Sequence, residues 1–246
     1  MDPTPRLRMF AGPNGSGKST IQSVIPAHLK GVYINPDDIE QSAKDTGAIY
    51  FGDYSVDISK ADIKHYFYQS PLTRKASLAP LLETLLFEDN CLSFCKTEPN
   101  SYIASIASSL IRDQLIASRI SFTFETVMSS EDKIEVLQAS RAAGFKNYLY
   151  YIATDDPDIN VQRVHNRVES GGHTVPEDKI RQRYHRSLDL LINAIKLADR
   201  AFIFDNSGNE DIWLAEVTPE GEIEPKAEEI PDWFYRSVIQ KLTPAY

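Results

Sequence analysis

Eight consecutive residues, Gly12-Pro13-Asn14-Gly15-Ser16-Gly17-Lys18-Ser19, satisfy the spacing G-x-x-x-x-G-K-[ST], and Thr20 follows directly. The chemistry this run supports is the binding of a nucleoside triphosphate. Its glycines let successive backbone N–H groups turn inward around phosphate oxygens, and a helix starting at once adds the positive end of its dipole. Lys18 is expected to bridge the terminal phosphates as a point charge. Ser19 is placed to set its hydroxyl on the Mg²⁺ that neutralises charge during phosphoryl transfer. A glycine-rich turn that binds nothing is the plainer alternative, but it would need all four defined positions to coincide.

A phosphate loop does not name what receives the phosphate. The chain has no N-K-x-D guanine-reading signature and no apolar strand ending in the Asp-Glu pair of a motor ATPase, so a switch GTPase and a motor both recede. A kinase acting on a hydroxyl needs a carboxylate to orient it and accept its proton. Asp37 and Asp38 are candidates, although Asn35-Pro36-Asp37-Asp38 reads equally well as a helix cap with first-turn charge. Glu125 and Thr126 close the alternating run Ser121 to Thr126, and Glu125 is a candidate to bind acceptor hydroxyls or amides. Arg163, Arg167, Arg181, Arg183 and Arg186 flank a turn, Gly171-Gly172-His173, that suits a closing lid. Their alternative is ordinary surface pairing with Glu169, Glu177, Asp178 and Asp189.

The elements that must carry these groups follow from apolar periodicity. Arg6 to Gly12, Val32 to Asn35, Ser121 to Thr126, Asn147 to Ala153 and Ala201 to Phe204 read as strands. Helical patterns separate them, notably Glu131 to Ala143 and Pro176 to Leu197. Apolar strands alternating with helices predict an α/β fold: a three-layer P-loop architecture with a parallel central sheet and helices on both faces. Ligands of such sheets bind at the strands' carboxyl ends, where the candidate polar residues fall. Residues 1–246 are expected to form one domain. Within it, about 54–118 reads as a helical insertion, including a helical Leu78 to Phe94, and about 209–246 as a hairpin around Gly221 followed by a helix from Pro231 to Leu242.

Composition narrows the class. Acidic residues (35) exceed basic ones (26), so the net charge of −9 argues against coating nucleic acid and requires any anionic ligand to meet a local positive site. The aromatic run Tyr148, Tyr150, Tyr151 reads as sheet packing rather than a base-stacking platform. Cys91 and Cys95 lack a second ligand pair, which predicts buried or half-buried free thiols in a reducing compartment. No signal-like segment or apolar run of spanning length is present, so a cytoplasmic protein without membrane contact is expected.

Taken in order, GPNGSGKST, YINPDD, RISFTFETVMSS, RVESGGHTVP with IRQR, and FIFDNS resemble the zeta-toxin family of P-loop kinases over about residues 6 to 207. The resemblance implies a kinase using ATP or GTP with Mg²⁺. It implies phosphorylation of UDP-N-acetylglucosamine at the sugar 3′-hydroxyl as the toxin of a toxin–antitoxin system, with an antitoxin partner covering the nucleotide site. It further implies that Asp37 is the catalytic base, that Glu125 binds the acceptor with Thr126 beside it, and that Arg167 and Arg183 clamp the phosphates alongside Lys18 and Ser19. Best-known members carry glycine after the glutamate, where this chain has Thr126. A different acceptor (a nucleotide, a dinucleotide cofactor or an antibiotic) and a nucleotide-binding interaction protein with little turnover are the rival readings.

Overall fold

The structure, a computed structural model, describes residues 4–23, 25–169 and 174–242. In chain order its strands are β1 (Arg6–Ala11), β2 (Val32–Ile34), β3 (Ala48–Tyr50), β4 (Leu86–Glu88), β5 (Cys91–Ser93), β6 (Phe122–Thr126), β7 (Lys146–Ala153), β8 (Arg200–Asp205), β9 (Ile212–Val217) and β10 (Ile223–Pro225). The chain divides into two compact units, residues 1–30 with 125–246 and residues 31–124.

In the first unit the strands run in the order β10-β9-β8-β7-β1. β1, β7 and β8 are parallel, and β9 and β10 each turn antiparallel to their neighbour. Side chains alternate across this sheet, so the two faces take different partners. On one face Phe10 and Ile152 are buried with Ile21 of the helix Lys18–Ser23. Phe10, Tyr150 and Phe202 stack across neighbouring strands there, with centroids 4.7 and 4.9 Å apart. On the other face Asn147 donates to Leu137 O of the helix Asp132–Ala142 and accepts from Ser140, while Tyr151 hydrogen bonds with Ser187 of the helix Glu177–Leu197. Helices thus cover both faces of a mostly parallel sheet, the α/β arrangement expected. The tyrosines of β7 serve packing: Tyr151 is fully buried, and burial pushes its phenol well above the ordinary value, so it stays a neutral donor.

In the second unit β2 pairs in parallel with β6, Val32 opposite Phe122 and Ile34 opposite Phe124. The helix Pro36–Thr46 packs on the helix Ser101–Ala117, whose long apolar face buries Ile103, Ile106, Leu110, Ile111 and Leu115. Asn100 starts that helix by accepting from the N–H groups of Tyr102 and Ile103.

Part of the expected helical insertion is β structure. Leu78 to Phe94 does not continue as a helix; β4 and β5 form a hairpin, and β3 joins β5 to complete a three-stranded antiparallel sheet. The two-residue link Asp89-Asn90 makes this possible, because Asn90 takes a left-handed φ of 57° that asparagine tolerates. Phe87 and Leu92, directly opposed and buried, then close the hairpin over Phe67. The C-terminal segment is also more broken than one helix: Asp232–Phe234 leads into a π-helical turn, Tyr235–Ile239, and then Gln240–Leu242. Cys91 is half-buried as expected, but Cys95 is exposed, since it lies just past β5 on the way to the next helix. Among the described residues no helix is long and apolar enough to cross a membrane.

Candidate functional site

The phosphate-loop residues sit between the carboxyl end of β1 and the helix Lys18–Ser23, the context the motif requires. Three glycines hold backbone angles reserved for residues without a side chain: Gly12 at φ 149°, Gly15 at 74° and Gly17 at 93°. Each also faces a close neighbour. A Cβ on Gly12 would lie 2.0 Å from Ile152 O, on Gly15 2.7 Å from Asn160 O, and on Gly17 2.1 Å from Asn206 Nδ2. The loop is therefore pressed against the end of β7, the helix Pro157–Glu169 and the segment after β8.

Its polar groups divide into satisfied and open sets. Ser16 N–H donates to Pro13 O at 3.3 Å and Thr20 N–H to Gly17 O at 3.0 Å. Lys18 Nζ donates to Gly12 O and Pro13 O at 2.9 and 3.0 Å. Among the described residues the amides of Gly15 and Gly17 donate to no protein group, and the buried Ser16 Oγ and Asn14 Oδ1 have no hydrogen-bond partner. Buried polar groups normally find partners, and the open donors of this loop, the Gly15 and Gly17 amides and the Ser16 hydroxyl, fit a ligand rich in acceptor oxygens. Pro13 lines the loop, and Ser19 and Thr20 are exposed at the helix start.

Two asparagines tie the loop to its surroundings. Asn160 Nδ2 donates to Asn14 O at 2.6 Å, and Asn206 Nδ2 donates to Ser16 O at 2.9 Å. Asn160 is held in turn by Thr154 Oγ1, and Thr154 O accepts from Tyr184 at 2.6 Å. Asn206 is held by its own N–H to Ala153 O at 2.8 Å and by Arg163, which donates to Asn206 O at 2.7 Å and Gly208 O at 3.1 Å. In the sequence Asn206 stood out only as part of the run FIFDNS, and Asn160 did not stand out at all. The signal for Asn160 was a polar residue at a buried helical position, between Pro157 and the apolar Val161 and Val164.

In the second unit, Asn35 Oδ1 accepts from Asp37 N–H at 3.0 Å, Pro36 occupies the first helical position, and Gly47 ends the helix at φ 77°. The cap reading of this segment is therefore correct for Asn35. Asp37 and Asp38 stand exposed in the first turn. Partial desolvation, reinforced by the charge of Asp37, raises the Asp38 carboxyl above its ordinary value of 3.8. Burial, with the carboxylates of Asp53 and Asp38, likewise raises the phenol of Tyr54.

At the end of β6, Glu125 is half-buried and Thr126 buried. Thr126 Oγ1 accepts from Met128 N–H at 3.0 Å, bracing a turn in which Met128 takes φ 51°. That hydroxyl is engaged in the turn.

The arginines separate by role. Arg163 braces the segment after β8, Arg181 pairs with Asp158 and, at 2.8 Å, with Glu177, and Arg186 donates to Gln182 O at 3.3 Å. Arg167 is exposed in the last turn of Pro157–Glu169, and Arg183 is half-buried on Glu177–Leu197. These two helices pack through Val161, Val164 and Ile180. The expected lid turn Gly171-Gly172-His173 lies outside the described residues.

Comparison with known proteins follows the same lines. The family profile described as zeta toxin matches residues 100–218, which takes in Glu125, Arg167 and Arg183 and stops short of the phosphate loop. A protein of Haemophilus influenzae described as uncharacterized is 35% identical over 69 residues, 28% of this chain and 49% of that one, so the match spans about half of the relative's length. A crystallised AvrRxo1-ORF1:AvrRxo1-ORF2 complex with sulphate ions is similar in fold, with TM-score 0.54, 14% identity, and coverage of 100% of this chain and 66% of that chain. The AvrRxo1-ORF1:-ORF2 complex with ATP gives TM-score 0.51, 16% identity, and 92% and 61% coverage.

Proposed function

We propose that the chain is a zeta-toxin-type phosphotransferase moving the γ-phosphate of ATP or GTP to an alcohol, most specifically the sugar 3′-hydroxyl of UDP-N-acetylglucosamine, a reading supported by the family profile over residues 100–218. The observation that carries the reading is the loop Gly12 to Ser19, where two unused glycine amides and the partnerless Ser16 hydroxyl stand beside the Lys18 ammonium. A triphosphate supplies the acceptors these donors lack. That a similar fold was crystallised with ATP supports the nucleotide.

The roles follow from each residue's surroundings. Lys18 exchanges its two loop carbonyls for terminal phosphate oxygens, a charged partner for neutral ones. Mg²⁺, entering with the phosphates, would supply charge neutralisation at the exposed Ser19 hydroxyl. Magnesium keeps most of its shell from phosphate and water, and so needs no all-protein cage. Asp37, exposed and capped in place by Asn35, accepts the proton of the acceptor hydroxyl as its oxygen bonds to the γ-phosphorus and the bond to the bridging oxygen breaks. Glu125 binds the acceptor. Arg167 and Arg183 take the charge that spreads over the transferring phosphoryl group. A toxin of this kind implies a protein antitoxin as partner.

Incubation with labelled ATP, Mg²⁺ and a panel of UDP-sugars, nucleotides, dinucleotides and aminoglycosides tests the reading. Label is expected in UDP-N-acetylglucosamine, and the Lys18→Ala and Asp37→Ala variants are each expected to lose transfer by roughly 10²-fold or more. Label in another panel member would keep the kinase and replace the acceptor. Turnover unchanged in both variants would remove the assigned chemistry.

A further inference from the structure

The two asparagines do more than pack. Every described peptide is trans, so the carbonyl of one residue and the N–H of the next lie in one rigid plane and point in opposite directions. Asn14 O belongs to the same plane as the Gly15 N–H, and Ser16 O to the same plane as the Gly17 N–H. Asn160 Nδ2 grips the first carbonyl at 2.6 Å and Asn206 Nδ2 the second at 2.9 Å. Gripping each carbonyl from the protein side turns its amide the other way, and among the described residues neither amide donates to a protein group.

Glycine makes such orientation necessary. Gly15 and Gly17 are free to rotate where any other residue would be locked, so an ungripped loop would sample peptide flips that turn the donors inward. Both grips are themselves fixed. Asn160 is fully buried and Thr154 holds its oxygen, while Asn206 is held through both its N–H and its C=O.

We propose that Asn160 and Asn206 are positioning residues that preset two donor peptides of the loop, Asn160 the one ending in the Gly15 amide and Asn206 the one ending in the Gly17 amide, so that both face phosphate oxygens before nucleotide arrives. This rests on the reading that the loop takes a nucleotide. A donor set oriented in advance is not charged the cost of ordering on binding, so the effect belongs to phosphate affinity rather than to acceptor recognition.

The test uses the full chain labelled with ¹⁵N-glycine and titrated with MgATP and with inorganic tripolyphosphate, which carries the phosphates and no base. Asn206→Ala is expected to shift the Gly17 amide signal most and Asn160→Ala the Gly15 signal. Each is expected to weaken both ligands on the order of tenfold, as loss of one oriented donor predicts, with the acceptor KM unchanged. Asn206→Ser and Asn160→Ser, too short to reach the carbonyls but still polar, give the same readout if an alanine variant is poorly folded. Parental affinity for tripolyphosphate in the variants, beside a parent that binds, overturns the proposal alone. A parent that binds neither ligand removes the nucleotide reading and this one with it.

Discussion

Trp233 donates its indole N–H to Asp205 Oδ2 at 2.7 Å, and both side chains are buried. The same carboxylate accepts from Ser207 N–H and Ser207 Oγ, each at 2.9 Å, while Ser207 Oγ accepts from Asp155 N–H at 2.8 Å. A tryptophan near the end of the chain thus completes the donor set of the carboxylate next to Asn206. Phenylalanine at 233 keeps most of the apolar bulk and removes one donor from a buried charge. Trp233→Phe is expected to cost about 1–3 kcal/mol, read as a lower urea midpoint with unchanged slope. An unchanged midpoint would mean that water replaces the indole without loss.

Two glycines at nearly equal φ separate backbone strain from crowding. Gly15 and Gly47 sit at 74° and 77°, but a Cβ meets backbone at 2.7 Å on the first and nothing within 4 Å on the second. Gly47→Ala is expected to cost about 1–2 kcal/mol, the left-handed penalty alone. Gly15→Ala must also push the helix Pro157–Glu169 away, so it is expected to destabilise more and to weaken MgATP binding, which calorimetry would show. Equal costs and intact binding in both variants would contradict the tight seat of the loop.

The elements that carry strong period and punctuation were legible in the residues alone. The strands β1, β2, β6, β7 and β8, the phosphate loop and the hairpin around Gly221 appear where apolar runs and glycines place them. The β4–β5 hairpin was not, because Leu78 to Phe94 has enough leucine at helical spacing to hide a turn as small as Asp89-Asn90. At the site, the glycine run announces its chemistry through spacing. The grips on Asn14 O and Ser16 O come from residues 146 and 190 positions away, a pairing no local pattern contains.

The arginine cluster offers a comparison within one helix. Arg181 is bound to Asp158 and Glu177 in solvent-screened surface pairs, so Arg181→Ala is expected to leave the urea midpoint close to the parental value and phosphate transfer near the parental rate. Arg183, two residues on and, like Arg181, half-buried, carries the proposed clamp, so Arg183→Ala is expected to lower kcat while the melting temperature stays close to that of Arg181→Ala. Steady-state kinetics on the two variants decide this. Loss of transfer in Arg181→Ala with Arg183→Ala active would exchange their roles.

The pair Asp37 and Asp38 makes a prediction about protons. The Asp38 carboxyl is held above 3.8 first by desolvation and then by the charge of Asp37, so ionising it costs the folded chain more than the unfolded one. The folded state holds this proton more tightly. The group's penalty is therefore complete above its raised folded value, shrinks as the pH falls through it, and is gone below the unfolded value near 3.8. Asp37→Asn removes the second cause and leaves the first. The Asp38 midpoint, followed by carboxyl ¹³C NMR, is expected to move down but to remain above 3.8, which narrows the pH interval over which the penalty develops and lowers its full size. An unmoved midpoint would show that the two carboxylates do not sense each other. The same variants divide the chemistry: transfer is expected to be lost in Asp37→Asn and kept in Asp38→Asn. The reverse outcome would move the base to Asp38, whose raised value would then set the acid limb of the pH–rate profile.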